Sequence, residues 1–247
     1  MKEPLAEAVD IVKLLGTGAG QVQALKGISL ALSGGELTLL MGPSGSGKTT
    51  LLSIVGCMLR PTSGTVRVCG KSTKDLGPED MARLRRDNIG FVFQSYHLFP
   101  TLTASENVQL VFDVRGENSS RALAKANQAL ATVGLAHKVK SFPLELSGGE
   151  QQRVAIARAI AGDASVILAD EPTAALDSEN GRAIMQILAR IAKEPGRTVL
   201  VVSHDPRILP FADRVVHMED GRIVREERKG AGLSVKSEVE LAVFGGG

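Results

Sequence analysis

A glycine-rich segment carries the first group of residues suited to chemistry: Gly42, Pro43, Ser44, Gly45, Ser46, Gly47, Lys48, Thr49 and Thr50. It matches the pattern G-x-x-x-x-G-K-[ST], in which backbone N–H groups surround phosphates, the lysine contacts the β- and γ-phosphates and the hydroxyl binds Mg²⁺. An apolar run precedes it and a helix-like run follows, so the positive end of a helix dipole would face the anion. The segment predicts a nucleoside-triphosphate site.

Two carboxylates, Asp170 and Glu171, end a second apolar run at residues 166–169. A buried strand that delivers an aspartate at its carboxyl end is how P-loop proteins reach the shell of Mg²⁺. Glu171 points to the other side of the strand, where it would face a water aligned with the γ-phosphate. The alternative is a charged strand end that only leads into a loop, since Pro172 stops the strand. The neighbouring P-loop favours the metal and water roles.

A third candidate is the string Leu-Ser-Gly-Gly-Glu-Gln at residues 146–151. Ser147 and Glu150 have the spacing of a capping box, which predicts a well-capped helix over residues 152–161. The same start, with Gly148 and Gly149, exposes a hydroxyl and bare N–H groups to which a phosphate could bind. Two copies arranged head to tail would then let Ser147 of one complete the site of the other.

The elements that would hold these residues follow from hydropathy. Residues 28–32 and 37–41 predict strand, turn and strand, and residues 64–95 add strands around a helix at 78–86, giving a mixed β layer with the phosphate loop on its edge. Residues 100–162 predict helices. The apolar runs at 166–169 and 198–202 predict parallel strands buried on both faces, joined by a helix at 181–193. Residues after 225 predict a loosely held, partly disordered extension.

Composition narrows the function classes. The 29 Lys and Arg nearly balance the 27 Asp and Glu in the 247 residues, which argues against a nucleic-acid binder. The longest charge-free stretch, 88–105, is too polar to span a membrane, and the first residues lack the apolar core of a targeting signal, so we expect a cytosolic chain. Cys57 and Cys69 are expected to be reduced thiols, because neither belongs to a metal-binding spacing.

The order of these motifs resembles the nucleotide-binding domains of ABC transporters. The matching features are the P-loop, Gln94, the string at 146–151, Asp170 with Glu171, the run Ala-Leu-Asp ending at Asp177, and His204. The string at 146–151 is the specific part, and the likeness covers about residues 8–226. It is strongest to the LolD and MacB branch, through residues 27–30, 91–94, 102–108 and 168–173. Residues 171–178 and 208–221 look closest to DevA-type exporter ATPases.

This resemblance implies a fold and its cofactors. The expected fold is α/β: a P-loop NTPase with a RecA-like core, an antiparallel β subdomain and a helical subdomain at about residues 96–164. The nucleotide-binding domain would span residues 1–226, and residues 227–247 would form a tail. The cofactors would be ATP and Mg²⁺.

The resemblance also implies residue roles. Lys48, Glu171 and His204 would be catalytic, with His204 contacting the γ-phosphate and holding the attacking water together with Glu171. Gln94 would touch Mg²⁺ or that water, and Thr49 and Asp170 would bind the metal. Residues 42–50, Gln94, 147–150 and Asp177 would bind the nucleotide, Asp177 by reaching across a dimer. The position of the aromatic ring that stacks on adenine in the family looks like Leu15, which leaves selection of ATP over GTP open.

The implied partners are a second copy of this chain, head to tail around two ATP molecules, and a separate transmembrane permease at the cytoplasmic face of the inner membrane. The permease would serve export or lipoprotein extraction, with a periplasmic adaptor reached through it. Permease contact is expected at residues 94–108 through Tyr96, Leu98 and Phe99, unless these side chains fold into the helical core. The alternatives are a soluble ABC ATPase without a transport role and a P-loop small-molecule kinase.

Overall fold

The protein, represented by a computed structural model, is described for residues 3–229. Its strands are β1 (Ala6–Leu15), β2 (Val22–Leu32), β3 (Leu37–Met41), β4 (Ser63–Val68), β5 (Lys71–Ser72), β6 (Ile89–Val92), β7 (Val166–Asp170), β8 (Thr198–Ser203), β9 (Arg214–Glu219) and β10 (Arg222–Arg228). Its helices are α1 (Lys48–Val55), α2 (Pro78–Asn88), α3 (Ala104–Asp113), α4 (Ser119–Thr132), α5 (Gly148–Ile160) and α6 (Ser178–Ala192). Short 3-10 turns connect several of them.

A six-stranded sheet of order β10-β9-β3-β8-β7-β6 forms the centre. Strands β3, β8, β7 and β6 run parallel, as does β9 next to β3, whereas β10 is antiparallel to β9. The side chains of β3 and β8 are buried throughout, as expected for parallel strands covered on both faces. Helix α6 connects β7 to β8, so the crossover predicted from their apolar runs is correct.

A second sheet, of order β2-β1-β4-β5, is antiparallel. Strands β2 and β3 therefore belong to different sheets. The strand, turn and strand predicted from residues 28–32 and 37–41 are present, but the two strands do not pair with each other. The phosphate loop follows β3, an interior strand of the parallel sheet, and does not lie on the edge of a mixed β layer. Helix α1 lies between the sheets, where Leu51, Leu52 and Ile54 belong to one apolar cluster with residues of both.

Helices α3, α4 and α5 pack together and form a second apolar cluster that extends onto β3, β7 and β8. Helix α5 also packs on β6, so it joins the helical layer to the parallel sheet. It begins at Gly148, four residues before the start predicted from the sequence, and both glycines of the string at 146–151 are inside it.

The structure corrects the predicted start of the C-terminal extension. Strand β10 runs to Arg228, two residues beyond the boundary placed at 226. Buried Arg214 on β9 holds Glu226 through two hydrogen bonds of 2.9 and 2.7 Å. These contacts tie the strand to the sheet. The rest of the predicted tail, from residue 230 onward, lies outside the described residues.

The two cysteines and the lengths of the helices bear on the expected thiol state and on the expected absence of a membrane span. Cys57 and Cys69 are both free, as predicted. Burial raises the pKa of the Cys57 thiol to about 11, so it is a poor nucleophile at neutral pH. Between residues 3 and 229, no helix has the length and apolar character needed to cross a bilayer.

Candidate functional site

A cleft of about 720 Å³ opens at the carboxyl ends of the central parallel strands. The loop after β3, the end of β7 and the end of β8 meet there because neighbouring parallel strands end at the same edge of a sheet. The lining includes residues of the phosphate loop together with Gln94, Glu171 and His204. The structure thus brings together four of the motifs that the sequence analysis singled out.

The phosphate loop is packed so tightly that two of its positions admit only glycine. Gly42 has φ 156°, and a Cβ there would lie 2.0 Å from the carbonyl oxygen of Met218. Gly47 has φ 96°, and its Cβ would lie 2.6 Å from the carbonyl oxygen of Ala24. Gly47 is also the N-cap of α1, so the loop leads straight into the positive end of a helix. The loop backbone is held in the shape that an anion site needs.

Lys48, the first residue of α1, directs its ammonium back into the loop. Nζ donates to the carbonyl oxygens of Gly42 at 2.8 Å and Pro43 at 2.7 Å. Burial lowers the pKa of Lys48, while the charges of Glu171 and Asp170 act in the opposite direction. A buried lysine whose hydrogen-bond partners are all neutral oxygens gains from an incoming phosphate, which supplies the opposite charge.

Thr49 and Asp170 form the part of the cleft that suits a hard cation. The Thr49 hydroxyl donates to Oδ1 of Asp170 at 3.2 Å. Burial raises the pKa of Asp170, opposed by the Thr49 hydrogen bond. A carboxylate beside a hydroxyl is the oxygen donor set that Mg²⁺ prefers, and a cation would offset the burial of the carboxylate. Between residues 3 and 229, no group of three or more His, Cys, Asp or Glu side chains is arranged to hold a metal alone.

Glu171 follows β7 in an unusual backbone conformation, with φ 46°. Its N–H donates to the carbonyl oxygen of Val202 at 2.9 Å, which ties it to the neighbouring strand β8. Its Oε1 lies 2.8 Å from Nδ1 of His204, and the Ser203 hydroxyl donates to Oε2 at 3.1 Å. Ser203 was not among the residues predicted from the sequence, although it directly precedes His204.

The remaining predicted residues are divided between the cleft and its surroundings. Gln94 is exposed, two residues after β6, and lines the cleft. Asp177 is the N-cap of α6 and accepts the N–H of Asn180 at 2.9 Å, and this hydrogen bond is the main cause of its lowered pKa. Asp177 lines a different hollow, beside α6 and residues 205–211.

The start of α5 forms the capping box predicted for it. Glu150 Oε2 accepts the N–H of Ser147 at 2.8 Å, and the Ser147 hydroxyl accepts the N–H of Glu150 at 3.3 Å. A Cβ on Gly149 would lie 2.5 Å from Oδ1 of Asn180, so the first turns of α5 and α6 touch. Ser147 is exposed, and residues 147–150 are not part of the cleft wall that the structure describes.

Leu15 and Val22 stand on the rim of the cleft, at the end of β1 and the start of β2. Both are apolar and substantially exposed, at 40% and 64%. The residues expected to contact a permease differ in their surroundings. Leu98 packs against the helical core, Tyr96 is half-buried with its hydroxyl over Gly148, and Phe99 is 54% exposed. The alternative of folding into the core therefore applies to Leu98.

The fold and the cleft define a class: an α/β P-loop NTPase with separate β and helical layers, as predicted. The profile of the ABC transporter family matches residues 25–174. The chain therefore belongs to the ABC transporter family.

Curated relatives agree with this assignment. The chain is 46% identical to the macrolide export ATP-binding/permease protein MacB of Escherichia coli K12 over 222 residues, or 90% of this chain and 34% of that protein. The corresponding protein of Shigella flexneri gives the same identity and coverage. The chain thus spans about a third of the length of these relatives.

Solved structures extend the comparison to a nucleotide-bound state. The dimeric ATP-binding cassette MJ0796, in a post-hydrolysis state with ADP and Pi, superposes with a TM-score of 0.83 at 41% identity, covering 90% of this chain and 98% of that one. CbiO1 of Clostridium perfringens, part of an ABC transporter complex, gives 0.82 at 29% identity, covering 92% and 89%. The chain is thus an ABC cassette of the type predicted.

Proposed function

We propose that the chain hydrolyses ATP to energise export through a separate transmembrane permease. Support comes from its likeness to MacB, whose name joins macrolide export, ATP binding and a permease. The observation that carries the catalytic part is the meeting of the phosphate loop, Gln94, Glu171 and His204 in one cleft. Family membership argues against the kinase alternative. A permease role, as opposed to that of a soluble ABC ATPase, is tested by the membrane experiment in the Discussion.

In this proposal the Lys48 ammonium gives up its hydrogen bonds to the carbonyl oxygens of Gly42 and Pro43 and binds the β- and γ-phosphates instead. Glu171 orients the attacking water and accepts its proton, and His204 Nε2 reaches the γ-phosphate while Nδ1 faces Glu171. Thr49, Asp170 and Gln94 would hold Mg²⁺, for which the oxygen donors near Thr49 are suited. When bound, Mg²⁺ neutralises charge on the phosphate oxygens. Donors fixed before reaction stabilise the transition state without reorganising, which is the main source of rate in phosphoryl transfer.

We further propose a head-to-tail homodimer. Ser147, Gly148, Gly149 and Glu150 stand at the start of α5, away from the cleft of their own chain, and the start of a helix binds anions. A second copy would bring this helix start, together with Asp177, to the γ-phosphate in the first copy. The likeness to the dimeric cassette MJ0796 supports this arrangement.

The dimer is tested with Glu171→Gln, which should bind ATP without hydrolysing it. With ATP and Mg²⁺ this variant should elute at twice the monomer mass by light scattering, and without ATP as a monomer. Adding Ser147→Arg should abolish the dimer but leave the binding of ATP by the monomer intact, because Ser147 lies outside the cleft of its own chain. Ser120→Arg, the same change at the exposed start of α4, is the matched control. A dimer that persists in the Ser147→Arg background contradicts the head-to-tail arrangement.

A groove of about 650 Å³ offers the permease a docking site. It lies between α2, β6, α3 and α5, and its walls are mostly apolar, with Phe99, Val114 and Met58 exposed along them. Phe99 belongs to the segment 94–108 where permease contact is expected. We propose that a cytoplasmic helix of the permease occupies this groove.

The charges of the groove indicate the chemistry of that helix. Three arginines, Arg85, Arg115 and Arg158, line the groove, and each donates hydrogen bonds to backbone carbonyl oxygens. Arg85 donates to Cys57, and Arg115 donates to Gly162 and to residue 86. Arg158 donates to residues 96 and 97. Within residues 3–229, none of the three lies within ion-pair distance of a carboxylate. An apolar helix that carries acidic side chains would supply the missing negative charge.

A further inference from the structure

Ser203, the last residue of β8, is completely buried. Its hydroxyl donates to Oε2 of Glu171 at 3.1 Å and accepts the backbone N–H of Asp205 at 3.1 Å. Because the N–H can only donate, it occupies a lone pair of the hydroxyl and leaves the hydroxyl proton for the carboxylate. The direction of both hydrogen bonds is therefore fixed.

The two hydrogen bonds on the Glu171 carboxylate differ in kind. His204 holds Oε1 from a side chain that is 67% exposed, so few neighbouring atoms hold its ring in place. Ser203 holds Oε2 from inside a close-packed sheet, where the side chain cannot move without disturbing its neighbours. Ser203 is thus the more rigid of the two groups that hold the carboxylate.

The backbone of Glu171 needs the same support. Its φ of 46° lies in the left-handed region, which a non-glycine residue keeps only when its surroundings hold it there. The N–H of Glu171 is bound to Val202 and its carboxylate to Ser203. The last two residues of β8 therefore hold both the backbone N–H and the side-chain carboxylate of Glu171.

The loop behind Ser203 is itself anchored. The Asp205 carboxylate accepts the backbone N–H of Arg207 and two hydrogen bonds from Nε. Arg207 also donates to the hydroxyl of Ser178, the first residue of α6, at 2.9 Å. These contacts keep the N–H of Asp205 directed at Ser203.

From this geometry we propose that Ser203 is a positioning residue for ATP hydrolysis, which acts by holding the Glu171 carboxylate in its working orientation. A base fixed before the reaction does not have to be ordered during it, and a loosened base lowers the rate of the chemical step. Binding of ATP is unaffected, because Ser203 is not part of the cleft wall. The proposal rests on the role of Glu171 given under Proposed function.

The test is steady-state phosphate release by the full chain over a range of ATP concentrations. Ser203→Ala should lower kcat by about tenfold with KM unchanged, the pattern of a group that acts only in the chemical step. Ser203→Cys keeps the side-chain volume but donates weakly, so it should lose as much as Ser203→Ala. Ser203→Thr, which retains the hydroxyl, should keep kcat within about threefold of the unmodified chain.

The matched control is Thr198→Val at the other end of β8. Thr198 is also fully buried and its hydroxyl donates to the carbonyl oxygen of Glu36 at 3.2 Å, but it is remote from Glu171. This variant should keep kcat, and thermal melts would show that all variants fold. The proposal is overturned if Ser203→Ala keeps the kcat of the unmodified chain, or if its KM rises by as much as its kcat falls. It is also overturned if Thr198→Val loses as much kcat as Ser203→Ala, or if Ser203→Thr folds but has a kcat as low as that of Ser203→Ala.

Glu171→Gln, measured alongside, separates the two hypotheses. If Glu171→Gln loses turnover while Ser203→Ala keeps it, only the role of Ser203 is wrong. If Glu171→Gln keeps turnover, Glu171 is not the base and both assignments are wrong.

Discussion

Leu15 and Val22 place two aliphatic side chains at the rim of the nucleotide cleft, beyond the phosphate loop. Phe, Tyr and Trp are absent from the residues that line this cleft in the described part of the chain. Aliphatic groups can cover either purine, but they lack the π face that stacks on a base. A nucleotide bound in the cleft would therefore make many directed contacts through its triphosphate and few through its base.

We predict that the chain hydrolyses GTP with a KM within a few-fold of that for ATP, and that Leu15→Tyr lowers the KM for both nucleotides. Stacking contributes about 1 to 3 kcal/mol per base, so the tyrosine should lower the KM for ATP by about tenfold with little change in kcat. The measurement is phosphate release with each nucleotide.

Leu144→Tyr is the control for this prediction, because Leu144 is 91% exposed and outside the cleft. It should leave both KM values unchanged. A strong preference of the unmodified chain for ATP, or a Leu15→Tyr variant with unaltered KM, would show that the base does not sit against Leu15.

Helices α5 and α6 meet at their first turns. This junction connects the start of α5, which we propose faces the nucleotide of a partner copy, to Asp177 at the start of α6. The two helices touch where Gly149 faces Asn180, and Asn180 is in turn held by Asp177 through two hydrogen bonds. The absence of a side chain at residue 149 sets the distance between the helices.

Gly149→Ala is predicted to destabilise the protein, since its Cβ would lie 2.5 Å from Oδ1 and 3.2 Å from Cβ of Asn180. Overpacking of this kind costs about 1 to 3 kcal/mol in the free energy of unfolding, measured by chemical denaturation. Gly20→Ala, where an added Cβ meets nothing within 4 Å, should change little. Asn180→Ala should recover part of the loss in the double variant, and additive effects would argue against the contact.

The sequence predicted some elements better than others for physical reasons. Strands β7 and β8 are apolar at nearly every position because both of their faces are covered, and their continuous runs are easy to recognise. Strand β1 escaped notice because its pairing with β2 is interrupted by irregularities and many of its side chains are exposed or half-buried. The separation of β2 and β3 into two sheets depends on contacts distant in sequence, which local patterns do not contain.

The site shows the same division. The phosphate loop and Glu171 were predicted from their own motifs, and Gln94 and His204 from the resemblance to the ABC transporter family. The structure gathers all four in one cleft. Ser203 carries no such signal, since a serine at a strand end is common. Its importance follows from a hydroxyl directed at Glu171, which only the three-dimensional arrangement reveals.

The nucleotide cleft and the arginine-lined groove share one segment, because β6 and the residues directly after it contribute side chains to both. Phe91 and Phe93 of the segment that leads to Gln94 line the groove and stack on each other with ring centroids 5.6 Å apart. Gln94 itself lines the cleft. A helix seated in the groove would thus press on the residues next to Gln94, which would give the proposed permease a direct mechanical route to the nucleotide.

We predict that the chain binds inside-out membrane vesicles from cells that produce it, and that Phe99→Asp weakens this binding about tenfold or more. The new carboxylate would replace an apolar contact at the groove wall and require desolvation on docking. The measurement is cosedimentation over a range of vesicle concentrations. ATP hydrolysis by the free variant should be unchanged, because Phe99 lies outside the cleft.

Two comparisons decide what such binding means. Leu144→Asp introduces the same charge at a 91% exposed leucine outside the groove and should bind vesicles as the unmodified chain does. Protein-free liposomes made from the extracted lipids should not bind the chain, because the groove is proposed to recognise a helix and not a lipid surface. Equal binding to liposomes, or equal loss in both aspartate variants, would remove the groove as the docking site. Failure of the unmodified chain to bind vesicles would favour a soluble ABC ATPase instead.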